Sequence, residues 1–560
     1  MRTPTTFAYG ALGLAALGLA GALTGCADHP YDPDAPALDP EAPRVHITTP
    51  ALGAFAGDVD HLVVHGTATD DREVRAVRVN GVAATLDGAG GWTATVPVTA
   101  GTQLLHAEAE DGQGHVGKES RAVVVGPLRP IAGAVPRAIT ASISAPTFTA
   151  IGQAVTGFLR TGDLAPVVVP HNPVLAFGAT TDCNYVQASI ANITLGPATA
   201  VSLTAARGGL AVDAELDQVS VRMHLAYAVL CLGGASDITV SARHVKVAGL
   251  LAMGAAAGAF DLKLTSPDVQ VTGFQLTATG VPGDVLGWLH LDTALGPILG
   301  QVTQWLIAPL LNTALASLVK THTVDVLGTP VDLGLAPTKV SVDPTGAIIW
   351  IDTQLRAHGD AASPGYVYLP GLAPPPGVGG FQLAVADDAA NQLLGSLWAA
   401  KGLDARVDLS TGSYGSLGVL YDHVELATAV PPFVDASGDA LRLTIGDLIA
   451  TFKHGDEVAT RVAVSAEVDV RVVAGVDGAP RLDVGSPRTS VDILDEHVDG
   501  ANALSNAQFE LITSFALARV IAVGSGALGA VPLPAVGGVA LHGLAIAPVD
   551  GYLVIDGSLQ

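Results

Sequence analysis

The sequence predicts an α+β protein in which a small all-β domain precedes a larger mixed part. Residues 44–126 alternate apolar and polar side chains in short runs separated by turn residues, which is the pattern of strands. Residues 138–560 contain apolar stretches long enough for helices, and several strand-like runs follow each stretch. Hydrophobic residues make up 49% of the chain and charged residues 14%. We therefore expect a large core or an apolar surface that takes an apolar ligand.

The N-terminal segment, residues 1–25, has the organisation of a lipoprotein signal peptide. One basic residue, Arg2, precedes an apolar run too short for a stable membrane span, and residues 23–26 read Leu-Thr-Gly-Cys. This ending resembles the bacterial lipobox, which implies cleavage before Cys26 and acylation of its thiol; a buried cysteine at the end of a core helix is the alternative. We expect an extracytoplasmic protein, anchored through acylated Cys26 in the bacterial cell envelope, at the outer membrane.

The chain is strongly acidic, with 52 Asp and Glu residues, 27 Lys and Arg residues and a net charge of −25. Such a surface repels phosphate backbones, so we expect no nucleic-acid partner.

The remaining cysteines, Cys183 and Cys231, are expected to form a disulfide, because an exported protein folds in an oxidising environment. We expect this disulfide to be structural, because neither cysteine stands in a Cys-x-x-Cys motif.

The all-β domain lies between two predicted linkers. Residues 26–43 are acidic and Pro-rich, and residues 127–137 form the second linker. Seven short strand runs in residues 44–126 predict a sandwich, and Asn80-Gly81 predicts a type I′ hairpin turn between two of them.

The same domain resembles bacterial Ig-like domains of the glucodextranase domain B type. The resemblance rests on residues 74–81, 92–97 and 107–111. It implies a spacer or a binding module with a protein or glycan partner. His61 and His65 lie on the same face of one predicted strand. We expect both to be surface histidines, and a metal site is the alternative.

The mixed part is predicted to follow one plan twice, in a first half (residues 138–345) and a second half (residues 346–560). A helix candidate opens each half, strand runs follow, and a longer helix comes next. The four helix candidates are residues 146–160, 284–320, 385–401 and 502–523. Residues 293–319 carry no charge, but their prolines and amides favour a helix packed within the protein over a membrane span.

Apolar side chains recur at helical spacing in the opening helix of each half. These candidates are Phe148, Ile151, Val155, Phe158 and Leu159 in the first half, and Leu394, Leu397 and Trp398 in the second. Such a stripe either packs in a hydrophobic core or lines a lipid groove, and the helical spacing is the same in both cases.

The mixed part resembles the bactericidal/permeability-increasing protein and lipopolysaccharide-binding protein family. Residues 380–403 resemble the opening of that family's C-terminal half. Residues 532–534, Pro-Leu-Pro, with residues 539–548 and 551–557, resemble its last two strands; residues 186–195, 210–216 and 287–289 match in type and place. The resemblance implies a tubular lipid-binding fold: a boomerang of two pseudo-symmetric barrels, each a curled antiparallel sheet with a long helix, joined by a central sheet.

The resemblance also implies a function, the binding or transport of a phospholipid or other apolar lipid in a groove of each half. The antibacterial members use a basic tip on the first barrel, and this first half has only scattered basic residues, so endotoxin capture is not expected. No nucleophile elbow, metalloprotease motif or phosphate loop is present, so we expect no enzyme activity, no metal site and no cofactor. The alternatives are a surface adhesin or scaffold that binds through the Ig-like domain, and then a hydrolase.

Overall fold

Antiparallel strands with alternating burial dominate the chain, which is mostly β and contains two curled half-barrel sheets. The computed structural model describes residues 41–278, 321–359, 363–371, 380–410, 417–474, 480–496 and 541–559. The predicted long helices at residues 284–320 and 502–523, the Pro-Leu-Pro of residues 532–534 and Cys26 lie outside these ranges.

The elements up to residue 278 begin with the predicted sandwich and end with long strands. The sandwich strands are β1 (Arg44–Thr49), β2 (Ala54–Gly57), β3 (His61–Thr69), β4 (Val74–Val79), β5 (Val82–Ala83), β6 (Thr85–Leu86), β7 (Gly91–Pro97), β8 (Gly101–Asp111) and β9 (Val116–Val125). Then come β10 (Leu128–Arg129), β11 (Val135–Ser144), α1 (Ala145–Thr161), α2 (Ala165–Val168), a 3-10 turn (Val169–His171), β12 (Leu175–Phe177), β13 (Tyr185–Thr194), β14 (Ala200–Ala206), β15 (Gly209–Val229), β16 (Leu232–Ala256), β17 (Ala259–Thr272) and β18 (Gln275–Ala278).

The elements after residue 320 complete two further sheets. They are β19 (His322–Val326), β20 (Thr329–Asp343), β21 (Gly346–Ala357), β22 (Tyr366–Val367), β23 (Phe381–Ala386), α3 (Asp387–Ala399), β24 (Ala405–Asp408), α4 (Leu417–Leu420), β25 (His423–Thr428), β26 (Phe433–Asp435), β27 (Leu441–His454), β28 (Glu457–Ala474), β29 (Pro480–Val484), β30 (Arg488–Glu496), β31 (Leu541–Val549) and β32 (Tyr552–Leu559).

The N-terminal domain is a two-sheet sandwich. One sheet has the order β1-β3-β7-β6 and the other β2-β9-β8-β4-β5, and they enclose a core that includes Ile47, Trp92 and Leu105. Asn80 and Gly81 have φ of 48° and 80°, as the predicted type I′ turn requires. The Ig-like assignment itself stays a prediction.

The segment predicted as the second linker is hydrogen-bonded to distant parts of the chain. Strand β10 pairs with β22, and strand β11 begins within the segment at Val135. Gln392 donates hydrogen bonds from its side-chain amide to the carbonyls of Ile131 and Gly133. These contacts hold residues 128–135 against the second half.

A central sheet contains strands from both halves, in the order β19-β20-β21-β11-β23-β32-β31. Strand β11 lies in its middle, between β21 and β23, and both pairings are antiparallel. The helix predicted at residues 385–401 begins two residues later in the structure, because residues 385 and 386 belong to β23. The side chains of β23 are buried on both faces of the strand, so they lack the alternation that marks a half-exposed strand.

Each half adds a seven-stranded sheet of its own, and the two sheets have the same strand order. The first-half sheet runs β12-β13-β15-β16-β17, with β14 on β15 and β18 on β16. The second-half sheet runs β24-β25-β27-β28-β29, with β26 on β27 and β30 on β28. A rotation axis that relates the halves stays a prediction.

Both sheets have an irregularity in the same strand of their shared order. Gln218 in β15 and Asp447 in β27 have φ of 44° and 43°. The pairing of β27 with β28 shifts register at Asp447, whereas β15 and β16 leave Gln218 and Arg243 out of the pairing and keep one register. A bulge such as that in β27 increases the local twist of its strand, which supports the curl of the second-half sheet.

Helices occupy little of the described chain. The prediction at residues 146–160 is confirmed as α1, and the second opening helix, predicted at residues 385–401, is α3. Within the described ranges, no helix combines the length and apolar composition needed to cross a membrane.

Candidate functional site

The inner face of the first-half sheet is apolar along the whole length of β15. Alternate side chains of this strand are buried: Leu210, Val212, Ala214, Leu216, Val219, Val221, Met223 and Leu225. The spacing changes from two to three between Leu216 and Val219, where Gln218 has a positive φ and is left out of the pairing with β16. On β16 the spacing changes in the same way between Ala242 and Val245, so the apolar side chains of both strands stay on the inner face beyond that point.

Neighbouring strands extend the same face. On β16 the buried side chains are Ile238, Val240, Ala242, Val245, Val247, Leu251 and Met253, and on β13 they are Val186, Ala188, Ile190 and Ile193. All of them belong to one apolar cluster with the buried residues of α1. The first half therefore has one continuous apolar interior.

Helix α1 contributes the predicted stripe to this interior. Phe148, Ile151, Val155 and Leu159 are buried in the cluster, and Phe158 packs against it half-buried. The sequence therefore placed these five side chains together correctly. The choice between a lipid-lining face and a plain core stays open to experiment.

Polar contacts fix α1 against the edge of β14. Thr156 accepts a hydrogen bond from Val201 N at 2.8 Å, and Arg160 Nε donates to Thr199 O at 2.7 Å. At Gly152 the helix comes so near that a Cβ atom there would lie 3.1 Å from Leu203 N. The helix thus covers the outer edge of β14, which pairs on its other side with β15.

The charged side chains of residues 138–278 lie outside the apolar cluster. Among the described residues 138–278, none with a buried side chain is charged. On the outer face Lys246 Nζ lies 3.2 Å from Asp213 Oδ2 and 3.4 Å from Glu215 Oε1, and these carboxylates raise the pKa of Lys246. The interior therefore offers a guest no fixed charge in this region.

The strand that forms this apolar face is much longer than helix α1. Helix α1, with 17 residues, spans about 25 Å. Strand β15, with 21 residues, spans about 70 Å. An extended acyl chain of about 20 Å fits within that length.

The second half has a separate apolar cluster that contains the other predicted residues. Leu394 and Leu397 of α3 are buried in it with Tyr421 and Phe452. Trp398 packs against the cluster half-buried, and its Nε1 donates to Thr428 O at 2.9 Å. The Trp398 ring also lies 5.8 Å from the Phe55 ring of the sandwich, centroid to centroid.

Polar side chains that the sequence reading overlooked anchor α3. Gln392 Oε1 accepts from Leu355 N at 2.8 Å, Ser396 Oγ accepts from Ala357 N at 2.7 Å, and Asp388 Oδ1 accepts from Leu369 N at 2.8 Å. Burial raises the pKa of Asp388 to about 6. The signal was present: the three polar residues stand four apart and so share one helix face.

The sandwich meets the second half through a buried acid, Asp447, and a half-buried one, Asp492. Asp492 accepts a hydrogen bond from Ser120 N at 3.0 Å, and Asp447 accepts from Ala122 N at 2.9 Å. Arg121, buried beside them, donates to Glu119 at 2.8 Å. Burial raises the pKa of Asp492 to about 7 and also raises that of Asp447.

The histidine and cysteine predictions have separate outcomes. His61 Nδ1 lies 3.0 Å from Asp60 Oδ1, and His65 Nδ1 lies 2.9 Å from Thr93 Oγ1. No group of three or more potential metal ligands exists among the residues that the structure describes. The disulfide between Cys183 and Cys231 is confirmed.

Solved structures with a similar course of the chain include a lipopolysaccharide binding protein. It is 14% identical to this chain, with a TM-score of 0.35, and the match covers 76% of this chain and 99% of that one. P47 of Clostridium botulinum A2 matches at 8% identity and a TM-score of 0.24, over 75% of this chain and 96% of its own. P47 of Clostridium botulinum E1 matches at 8% identity and a TM-score of 0.22, over 75% and 98%.

Comparison by sequence gives no counterpart. No protein-family model matches the chain, and no curated protein matches it.

Proposed function

We propose that this protein binds an apolar lipid, such as a phospholipid, in the interior of the first half and carries it without chemical change. One observation carries the proposal: the buried side chains that β15 and β16 turn to the inner face are apolar, from Leu210 to Leu225 and from Ile238 to Met253, and no described buried side chain of residues 138–278 is charged. The second-half cluster around α3 is the candidate for a second lipid site.

The energetics of lipid transfer favour such an interior. Exposing an acyl chain of roughly sixteen carbons to water costs about 12 kcal/mol, at about 0.8 kcal/mol per methylene. A carrier must replace the bilayer by an apolar wall of similar extent. The apolar inner face of β15, a strand whose 21 residues correspond to about 70 Å when extended, offers such a wall.

The proposal includes the anchor. Acylation of Cys26 would hold the protein at the bacterial cell envelope, outside the cytoplasm, and the acidic linker of residues 26–43 would give it reach. Two or three acyl chains hold a protein stably on a membrane, whereas a single chain does not. A carrier tethered in this way stays beside one bilayer and can contact it repeatedly.

Lipid extraction tests the proposal directly. We expect mass spectrometry of the purified full chain to find bound lipid in near-stoichiometric amount. Ala214→Phe places a ring in the interior, because Ala214 is buried on the inner face, and should lower lipid occupancy at least several-fold. Ala211→Phe, three residues away on the exposed face of the same strand, is the matched control and should leave the occupancy unchanged.

The opposite result has a clear signature. In a solid core, Ala214→Phe would destabilise the fold by about 1–3 kcal/mol through overpacking, and the wild-type protein would release no lipid. That pair of results would favour an adhesin or scaffold.

A further inference from the structure

Large apolar side chains are exposed to solvent at the far end of the β15–β16 hairpin and beside it. Leu230 and Leu232 are 78% and 77% exposed, and Phe177, at the end of β12, is 49% exposed. Through the pairings Phe177–Val186 and Val186–Tyr227, Phe177 lies a few rungs behind the hairpin turn. We call Phe177, Leu230 and Leu232 the apolar tip.

The tip is held in one conformation. Leu230 and Cys231 have φ of 50° and 66°, which makes a two-residue type I′ turn. The disulfide joins Cys231 to Cys183 in the preceding loop, Cys231 N donates to Cys183 O at 2.8 Å, and Leu230 N donates to Asn184 Oδ1 at 2.8 Å. The leucines are therefore presented outward on a cross-linked support.

The fold does not require apolar residues at this turn. The second-half sheet has the same strand order, and its equivalent turn, between β27 and β28, carries Lys453, His454, Asp456 and Glu457. A charged, solvated turn thus satisfies the same topology. The leucines of the first half need an explanation other than folding.

The hairpin behind the tip has an uncharged stretch whose length matches one leaflet of a bilayer. No charged residue occurs between His224 and Asp237, which face each other five rungs behind the turn, about 17 Å away. One leaflet of hydrocarbon is about 15 Å thick. Half-buried Tyr185 and Tyr227 lie just behind the tip, where aromatic rings commonly meet the headgroups.

We infer that the apolar tip inserts into the outer layer of a lipid bilayer, chiefly one of zwitterionic lipid. Three side chains on a narrow convex end are too few for a stable protein interface, which needs about 800 Å² from each partner. The loop of residues 178–184 carries one charged residue, Asp182, and no basic one, so attraction to anionic headgroups cannot recruit this end. The inference concerns the outside of the sheet and holds whether or not the interior contains lipid.

The test uses the full chain with Cys26→Ser, so that no acyl anchor contributes, and sedimentation with phosphatidylcholine vesicles. We expect binding that changes less than twofold between 50 and 500 mM salt, because it is apolar. Leu230→Ser with Leu232→Ser should weaken it at least tenfold. Val419→Ser, which alters another side chain that is 84% exposed, should leave it unchanged.

A second measurement guards against misfolding of the double variant. Leu230→Trp keeps a large apolar side chain, and its fluorescence should shift to shorter wavelength and be quenched by lipid brominated on the acyl chain. No vesicle binding by the wild-type tip, or equal binding by the double variant, would overturn the inference. So would a dimer in sedimentation equilibrium that Leu230→Ser with Leu232→Ser abolishes, since a second copy would then cover the tip.

Discussion

At the scale of single residues, the acids between the sandwich and the second half show how burial changes chemistry. Asp492 faces the Ser120 amide, Glu119, Asp447 and Arg121. Burial is the largest influence and raises its pKa from 3.8 to about 7, although the Ser120 hydrogen bond and Arg121 oppose it. Asp387 in the second half has its pKa raised to about 7 for the same main reason.

These raised pKa values predict that the protein is more stable in mild acid. Between about pH 4 and 7 the folded state holds protons that the unfolded state has released, so the free energy of unfolding falls as the pH rises through this range. Asp492→Asn cannot ionise and keeps an acceptor for Ser120. We expect it to be more stable than the wild type at pH 8 by on the order of 2 kcal/mol, and equal at pH 4.

Urea unfolding at pH 4, 5, 6, 7 and 8 measures this difference. Asp268→Asn, at an exposed position of β17, is the control and should follow the wild-type curve. Parallel curves for Asp492→Asn and the wild type would contradict the prediction.

At the scale of elements, α3 depends on Gln392, whose side chain is fully buried and pairs with three backbone groups. Gln392→Leu leaves those groups unpaired and should lower the free energy of unfolding by about 3 kcal/mol. Gln270→Leu, on the exposed surface of β17, should change it by less than about 0.5 kcal/mol. Chemical denaturation of both variants at pH 7 is the measurement, and equal effects would contradict the assigned role.

A second prediction at this scale concerns the stability that the disulfide contributes. Cys183 and Cys231 are 48 residues apart, and closing such a loop stabilises the folded state by about 4 kcal/mol on the chain-entropy estimate. Replacing both by Ser should lower the urea midpoint accordingly, and reduced wild-type protein should match the variant. A wild-type midpoint that reduction does not change would refute this.

The elements differ in how far local sequence determines them. Helix α1 was predictable because its apolar residues face one side only. Strand β23 was not, because the central sheet buries both of its faces, and a short apolar run of this kind has no distinguishing period. For the candidate site, the stripe on α1 was predictable, whereas the partners of Gln392 were not, since they lie 261, 259 and 37 residues away in the chain.

At the scale of the whole molecule, the sequence indicated a sandwich followed by two similar halves. It did not indicate that the sandwich packs on the second half. Ser120 and Asp492 are 372 residues apart, and each reads locally as an ordinary surface residue. Only the fold brings them together.

The proposed acyl anchor at Cys26 leads to a prediction at this same scale. In a bacterial host, the wild-type chain should carry a labelled fatty acid and sediment with membranes. Cys26→Ser should lose the label and move to the soluble fraction, because no acceptor thiol remains. Labelled Cys26→Ser protein would show that the lipid is attached elsewhere.

The place of β11 also governs how the chain can reach this state. Its strand partners come from residues 346–353 and 381–385, and Ser144, at its end, bonds to Gly380, 236 residues further on. Contacts so distant in sequence form late and make folding slow. During synthesis both edges of β11 therefore stay unpaired until most of the protein has emerged from the ribosome. The middle of the central sheet is thus a point of exposure for the nascent chain, where a chaperone would be most needed.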